Sequence, residues 1–441
     1  MKILPSLKTT LIVAIISVVS LSCTSKWPQF RGEKSNMIAH AKNLPLEWGN
    51  EQNIKWKVPL SGKGWSSPIV WDNRVFITEA ILDESSYTPD TTIEPRRRRV
   101  NPQDATYRWM VYCLDLNSGE LLWEQVAHEG KPGIETHNDN TYASETPVTD
   151  GKRVYAYFGM TGLFCYDIEG NLIWEKNLGA FESQSGWGTA ISPVLYKDKL
   201  YMQMDNQKES FLLALNKETG EEIWRIPREE KTNWSTPVIW KNSVRTELVT
   251  GGQKARSYDP ETGQLLWELE MGGGRNISSP VANKDLLFTG NEKRRDGGGF
   301  LFAVKAGSEG DITPPVGDSI SSGILWSRSN SGLSMPSPLL YDGYIYILDR
   351  SGFIFCFEEA TGKTVYPRTR VPGAGPFWAS PWINDGKVWC LDERGTTHVI
   401  KTGAEFEVLS TNSIEDKFWS STAITGQGYI FRGVENLYCV K

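Results

Sequence analysis

Ser67-Pro68-Ile69-Val70-Trp71 is the first copy of a phrase that recurs along the chain: a small polar residue, a proline and a short apolar strand. Its prolines fall 43 to 79 residues apart, and the shorter spacings match the period of a four-stranded propeller blade. Eight starts therefore predict eight blades, some of them with insertions. The later copies begin at Thr146-Pro147, Ser192-Pro193, Thr236-Pro237, Ser279-Pro280, Ser337-Pro338 and Ser380-Pro381, with a degenerate copy at Ser421-Thr422.

A second phrase ends the repeat units. It reads Cys113-Leu114-Asp115, then Ser118-Gly119, with Trp123 four residues after the glycine. The glycine suits a tight turn that needs positive φ, and we expect the aromatic ring to lie in the joint with the next blade. The cysteine occupies a slot that Ala214 and Ser257 fill in other copies. A slot of this kind requires small volume, so we expect buried free thiols.

The last repeat unit stops at Tyr438-Cys439-Val440-Lys441, before any outer strand with its aromatic residue. The segment from Ile54 to Leu60 alternates like a strand and contains Trp56, so it can complete the last blade and remove an open sheet edge. We therefore predict an all-β protein, an eight-bladed β-propeller of four-stranded antiparallel blades closed by an N-terminal strand. The predicted organisation is one propeller over residues 51–441, preceded by a leader over residues 23–50.

The N-terminus has the layout of a secretory signal. Lys2 and Lys8 precede an apolar run that is too short to span a bilayer, and small residues then lead to Cys23. We predict a signal peptide over residues 1–22 and export to the periplasm or the outer membrane. A signal that ends at a cysteine also predicts a lipoprotein acylated on Cys23. The small residues Ser20 and Ser22 suit ordinary signal peptidase as well, and that alternative stays open.

The two phrases together resemble the tryptophan-docking repeat of the pyrroloquinoline-quinone-like (PQQ-like) propeller superfamily. Three further segments resemble exported bacterial propellers of that group, and the likeness extends over residues 27–441. The segments are Trp27-Pro-Gln-Phe-Arg-Gly32, His137-Asn-Asp-Asn140-Thr-Tyr142-Ala-Ser-Glu-Thr-Pro147 and Asn233-Trp-Ser-Thr-Pro237. The resemblance implies the fold more strongly than an activity, because one fold hosts many functions.

Charge and composition restrict the functional classes. The chain has 47 basic and 53 acidic residues and a net charge of -6, so no overall field favours nucleic acid. The four histidines, at positions 40, 128, 137 and 398, lack paired ligand spacing, and we predict no metal site. No Gly-x-Ser-x-Gly elbow occurs and no catalytic triad is marked by local sequence, so we predict no catalytic residue.

The residues just before each Ser-Pro phrase are expected to gather around one mouth of the central channel. They are unusually aromatic and polar, and exposed indoles at a concave mouth suit stacking on sugars, quinones or peptide side chains. Lateral packing onto neighbouring inner strands is an equal alternative. The candidate ligand-binding residues are Trp65, His137, Asn140, Tyr142, Trp187, Trp234, Arg275, Asn276, Trp378 and Trp419.

Two basic loops are expected on the rim of the same mouth. The insertion over residues 81–106 contains Arg96, Arg97, Arg98 and Arg99, and the equivalent loop of the fifth blade contains Lys293, Arg294 and Arg295. Together they would form a landing zone for an anionic ligand or an acidic partner. A solvated loop surface without a ligand is the alternative.

Three functions are compatible with this sequence. The first is a non-enzymatic binding or scaffold propeller of the envelope, like the outer-membrane assembly lipoproteins that share the repeat. The second, implied by the resemblance, is a PQQ- and calcium-dependent dehydrogenase. Many such enzymes have adjacent cysteines over the quinone, whereas no two cysteines are adjacent in this sequence. The third is carbohydrate binding or processing. We expect no cofactor under the first function, a monomer, and envelope proteins or an anionic or glycan ligand as partners, with any membrane contact made through the lipid anchor.

Overall fold

A computed structural model describes residues 26–88, 101–295 and 297–441. The signal segment 1–22, the lipidation candidate Cys23 and the Arg96–Arg99 cluster lie outside these residues. Eight separate sheets, each built around four antiparallel strands, are arranged in chain order. The fold is the predicted all-β, eight-bladed propeller. Within the described part of the chain, no helix has the length and apolar character needed to cross a membrane.

Every blade runs from an inner strand at the channel to an outer strand at the periphery. From the inside outward, the strands of blades 1 to 4 are Ile69–Trp71, Arg74–Leu82, Tyr107–Asp115 and Leu121–Gly130; Val148–Thr149, Arg153–Phe158, Gly162–Asp167 and Leu172–Lys176; Val194–Tyr196, Lys199–Met204, Ser210–Asn216 and Glu222–Arg228; and Val238–Lys241, Thr246–Thr250, Lys254–Tyr258 and Leu265–Glu270.

Blades 1 and 4 each carry a short extra strand. Lys26–Trp27 joins the inner strand of blade 1, and Gly310–Asp311 lies parallel to the outer strand of blade 4. Two 3₁₀ turns form at Glu84–Ser86 and Gln184–Gly186. The second half of the ring repeats the four-stranded pattern. The strands of blades 5 to 8 are Val281–Ala282, Leu286–Gly290, Leu301–Lys305 and Ile324–Arg328; Leu339–Tyr341, Tyr344–Leu348, Phe353–Glu358 and Thr364–Arg370; Trp382–Asn384, Lys387–Leu391, Thr396–Lys401 and Val408–Ser413; and Ala423–Thr425, Gly428–Arg432, Asn436–Val440 and Ile54–Pro59.

The ring closes as the sequence predicts. Ile54–Pro59 pairs antiparallel with Asn436–Val440, and Trp56 lies opposite Cys439. The last blade is therefore completed by the beginning of the propeller, which ties the two ends of the ring together by main-chain hydrogen bonds.

At five joints of the described ring, a tryptophan on the outer strand of one blade packs against a glycine of the next blade. The ring of Trp123 in blade 1 lies against Gly170 of blade 2, where a Cβ would come within 2.7 Å of the indole. Gly170 has a φ of +94°, a conformation that favours glycine. The indole Nε1 donates to the carbonyl of Ile168 over 3.1 Å. Trp56 repeats this arrangement at the closing joint, against Gly119 and with a 2.9 Å bond to the Leu116 carbonyl.

Residues 26–41, which we call the plug, enter the channel from the face opposite the Ser-Pro phrases. Lys26 pairs with Trp71 at the lower end of the inner strand of blade 1, and the Pro28 carbonyl accepts from the Thr149 amide in blade 2. The plug then crosses to blade 7, where Ile38 bridges Ile383. The channel is therefore blocked from this side, which we call the plug face; the opposite face is the mouth face.

The cysteine side chains occupy buried positions, as expected of small apolar groups. The five described cysteines, at positions 113, 165, 356, 390 and 439, are buried and free of disulfides. Burial raises the pKa of the Cys113 and Cys165 thiols to about 12. The prediction of buried free thiols is confirmed for these residues.

Candidate functional site

A blind pocket of about 210 Å³ occupies the mouth end of the channel. Seven of the ten candidate residues line this mouth pocket, and Phe30 of the plug also lines it. The seven are Trp65, Asn140, Trp187, Trp234, Arg275, Trp378 and Trp419. The sequence phrase before each Ser-Pro start thus brings side chains from most of the ring to one place, although their role in binding stays a prediction.

Eight hydroxyls form a belt around the pocket. The Ser67 amide donates to the Thr146 hydroxyl over 2.9 Å, and the Thr146 amide donates to the Ser192 hydroxyl over 2.9 Å. The same bond continues from blade to blade until the Ser380 amide meets the Ser421 hydroxyl at 3.0 Å. The belt residues are Ser67, Thr146, Ser192, Thr236, Ser279, Ser337, Ser380 and Ser421. The small polar residue of the repeat therefore both links the blades and lines the pocket.

Three of the indoles form a ladder along one side of the mouth. The rings of Trp378 and Trp419 are stacked with centroids 4.4 Å apart, and Trp419 lies 4.9 Å from Trp65 at a tilt of 33°. The exposed guanidinium of Arg350 covers the outer end of the ladder, 4.2 Å from the Trp378 ring. Each of the three indoles is half-buried. They consequently pack on one another and still present surface to the pocket, and stacking on a ligand stays a prediction.

The opposite side of the mouth is built by blades 2 to 4. Trp187 stacks on His137 with centroids 4.0 Å apart, and the Trp234 indole donates to the Gly188 carbonyl over 3.0 Å. The side-chain amide nitrogen of Asn140, Nδ2, donates to the Trp187 carbonyl over 2.8 Å. These contacts hold the two indoles in place at the pocket wall.

Three candidate residues lie behind the pocket wall. His137 supports Trp187 from outside the pocket lining, and its Nδ1 accepts from the Asp139 amide over 3.1 Å. Tyr142 is buried edge-on against Tyr107. Asn276 is also buried, and its side chain donates to the Gly290 carbonyl over 2.9 Å. In this structure all three contribute to packing behind the mouth.

A basic shelf extends from the mouth pocket over blades 3 to 5. This open cleft of about 770 Å³ shares Trp187 and Arg275 with the pocket, and it is also lined by Lys293, Arg294 and Arg295. Glu292 is 2.6 Å from Arg275 and 4.0 Å from Arg294. The described lining of the shelf contains four cations and no carboxylate, and Glu292 is the carboxylate that pairs with two of them, so the lining has an excess of positive charge. The second predicted basic cluster, Arg96–Arg99, lies outside the described residues.

Arg31 adds a buried cation beneath the pocket. Its side chain is fully enclosed at 1% exposure, and its guanidinium donates to the Pro280 carbonyl at 2.6 Å and the Pro338 carbonyl at 3.1 Å. No carboxylate pairs with it among the described residues. Burial lowers the pKa of Arg31 to about 9, so the group remains mostly protonated at neutral pH.

Glu145 is a second buried ionisable group near the belt, directly before Thr146. Burial raises the pKa of its carboxyl group to about 7, and the hydroxyl of Thr189 together with nearby backbone amides opposes that rise. Neither Glu145 nor Arg31 was predicted as a site residue. The sequence feature that could have pointed to Arg31 is the Trp27-to-Gly32 segment, which resembles exported propellers of the superfamily. This segment is not part of the repeat, so the repeat gave no indication that it lies inside the ring.

Comparison with known proteins finds two relatives whose names describe different functions, a hydrolase and an assembly factor. A tetrathionate hydrolase of Acidithiobacillus ferrooxidans is 24% identical over 364 residues, which cover 76% of this chain and 63% of that protein. The outer membrane protein assembly factor BamB of Salmonella typhimurium is 23% identical over 167 residues, which cover 38% of this chain and 36% of that protein. The chain thus spans less than two thirds of the length of either relative.

Solved structures share the fold at low sequence identity. BamB from Moraxella catarrhalis superposes with a TM-score of 0.54 at 12% identity, covering 83% of this chain and 98% of that chain. A quinohemoprotein alcohol dehydrogenase from Comamonas testosteroni gives a TM-score of 0.58 at 12% identity, covering 94% and 80%. The family model described as outer membrane protein assembly factor BamB matches residues 107–368, from the third strand of blade 1 to the outer strand of blade 6. The match takes in more than half of the sequence, and the chain belongs to this family.

Proposed function

We propose that the protein is a non-catalytic binding propeller of the bacterial cell envelope, in which the mouth pocket receives a ligand or a group of a partner protein. The observation that carries this proposal is the pocket itself. Its hydroxyls are fixed by backbone amides, its indoles are held by stacking and carbonyl bonds, and Phe30 closes its floor. A concave, preformed surface of this kind suits binding.

The lining does not suit a calcium-bound quinone. Calcium takes about six to eight oxygen ligands, with carboxylates among them, whereas Asp139 is the one carboxylate in the described lining. Over the described ranges, no group of three or more His, Cys, Asp and Glu side chains is placed to hold a metal ion. We therefore propose a function without this cofactor.

The named relatives support binding and leave catalysis as the competing function. Assembly factors in the family favour a role with envelope proteins, and export would place this chain in the same compartment. The relative named tetrathionate hydrolase is an enzyme by its name. Family membership alone does not choose between binding and catalysis. The proposal therefore rests on the described lining of the pocket, in which Asp139 is the one acidic side chain and no histidine or cysteine occurs.

Site-specific photo-crosslinking in intact cells tests the proposal. A benzophenone amino acid replaces Arg350, which is exposed beside the indole ladder, and in a control strain it replaces Lys284, an exposed residue lining a cleft on the plug face. We expect a defined adduct from position 350 only, identified by mass spectrometry as an unmodified envelope molecule. The same adducts from both positions, or none from position 350, would contradict a binding role of the mouth. Chemically converted ligand in the adduct would indicate an enzyme.

A further inference from the structure

We propose that the mouth pocket and the basic shelf together bind an anionic oligosaccharide, with one pyranose ring in the pocket and following charged rings on the shelf. This inference rests on the proposed binding function and specifies its ligand. It follows from three properties of the lining: its hydrogen-bond polarity, its charge and its shape.

The first property is an excess of hydrogen-bond donors. Seven of the belt hydroxyls accept a backbone amide of the preceding blade, so their own protons remain to be donated. Within the described contacts, none of these hydroxyls donates to another protein group. A ring of O–H donors suits a ligand rich in acceptor oxygens, such as a carboxylate or a sulfate on a sugar.

The second property is positive charge on two levels. Arg31 lies below the belt between blades 5 and 6, buried and without a carboxylate partner in the described structure. Above it, the described lining of the shelf contains Arg275, Lys293, Arg294 and Arg295, and Glu292 pairs with the first of these. Asp139 is the opposing charge, exposed on the rim near blades 1 and 2. A buried, weakly screened cation under a pocket attracts an anion more strongly than the same charge in water.

The third property is shape. The indoles of Trp187 and Trp234 and the ladder that ends at Trp65 give the pocket flat apolar walls, which suit the C–H faces of a pyranose ring. The pocket volume of about 210 Å³ has room for about one such ring, and the shelf adjoins the pocket at Trp187 and Arg275, which line both. A chain of rings matches this geometry better than a single sugar does.

An acidic peptide fits the same charge less well. Each peptide unit brings an N–H donor as well as a carbonyl, and Asp139 supplies the one carboxylate acceptor of the described pocket lining. The Asn140 side-chain oxygen already accepts from the Thr141 amide over 2.9 Å, and the Trp419 and Trp65 indoles are donors. A bound peptide N–H would therefore need Asp139 or the remaining lone pair of a belt hydroxyl as its acceptor, and an N–H that reaches neither loses its water without gaining a partner.

Calorimetric titration of the full chain tests the inference with defined probes. These are an oligogalacturonide, the same oligomer as its neutral methyl ester, a sulfated oligosaccharide and an oligoglutamate peptide. We expect at least one anionic sugar to bind, a tenfold or greater loss with the neutral ester, and weaker binding at high salt. A preference between the carboxylated and sulfated probes identifies the natural class of anion.

Matched variants connect that binding to the site. Arg294→Gln combined with Arg295→Gln should weaken anionic-sugar binding several-fold, whereas Lys241→Gln combined with Lys284→Gln, which removes two cations from the cleft on the plug face, should leave it unchanged. Arg31→Met should weaken binding more than the charge-preserving Arg31→Lys, with thermal unfolding confirming that both variants fold.

Three results would overturn the inference: equal affinity for the neutral ester, tighter binding of the peptide, or no binding of any sugar. If sugars fail while photo-crosslinking at position 350 still captures a defined envelope protein, the ligand assignment is wrong and the binding function stands. If both experiments fail, the proposed function is wrong as well.

Discussion

Trp56→Ala tests whether the joint that closes the ring is equivalent to the joints inside it. The Trp56 indole is 7% exposed, lies against Gly119 and donates to the Leu116 carbonyl over 2.9 Å. Truncating a buried tryptophan costs about 3–5 kcal/mol, hydrogen bond included. With an unfolding entropy of about 2.1 cal/mol/K per residue, a loss of that size lowers the Tm of a chain this long by roughly 5 °C.

The matched control is Trp123→Ala, which removes the same packing and the 3.1 Å bond to Ile168 between blades 1 and 2. Differential scanning calorimetry at one scan rate should give similar losses for the two variants. In Trp56→Ala alone, hydrogen exchange should also accelerate along Asn436–Val440, because that strand borders the closing segment. A variant of Trp56 with the Tm of the wild type and unchanged exchange, beside a clearly destabilised Trp123→Ala, would refute the idea that this joint holds the ring closed.

Three further outcomes are expected. The folded pKa of Glu145 is raised from 4.5 to about 7, so its ionisation favours the unfolded chain, and stability falls as pH rises from about 4.5 to 7. Between pH 5 and pH 8, Glu145→Gln should therefore gain about 2.5 kcal/mol relative to wild type in denaturant titrations. Parallel pH profiles of the two proteins would contradict this. Gly32→Ala places a Cβ 3.0 Å from the Trp27 ring at a φ of +81° and should increase tryptic cleavage at Lys34, whereas Gly343→Ala, at +79° with no neighbour within 4 Å, should not. The five described cysteines should stay unreactive toward a thiol reagent until the protein unfolds, since they are buried; rapid labelling of the native protein would contradict this.

The repeat made the ring predictable. Spaced Ser-Pro starts set the number of blades, and a final unit without an outer strand left one partner for Trp56, which the pairing with Cys439 confirms. Positions just before each start also gather at the mouth, because equivalent positions of a circular repeat share a distance from the axis. Trp187 and Trp378, which that argument selected, line the pocket, and their role in binding stays a prediction.

Non-repetitive residues were the part that the sequence could not place. Periodicity says nothing about the leader, so the entry of Phe30 and Arg31 into the channel depends on contacts with blades far away in sequence. Tyr142 and Asn276 are polar residues beside blade starts, yet their side chains turn toward neighbouring strands and are buried there. Which way such a residue turns depends on packing between blades, which no local pattern records.

The route of the plug would also set the orientation of the molecule if it were anchored to a membrane. Lys26 lies beside the lower end of the blade 1 inner strand, with its ammonium group 4.3 Å from the Trp71 ring, so an anchor just upstream would hold the propeller by its plug face. A lipid on Cys23, three positions earlier in the chain, would be joined to the propeller by a connection too short for the propeller to reverse its orientation on the membrane. The indole-lined opening would then look away from the bilayer, toward molecules arriving from the aqueous side.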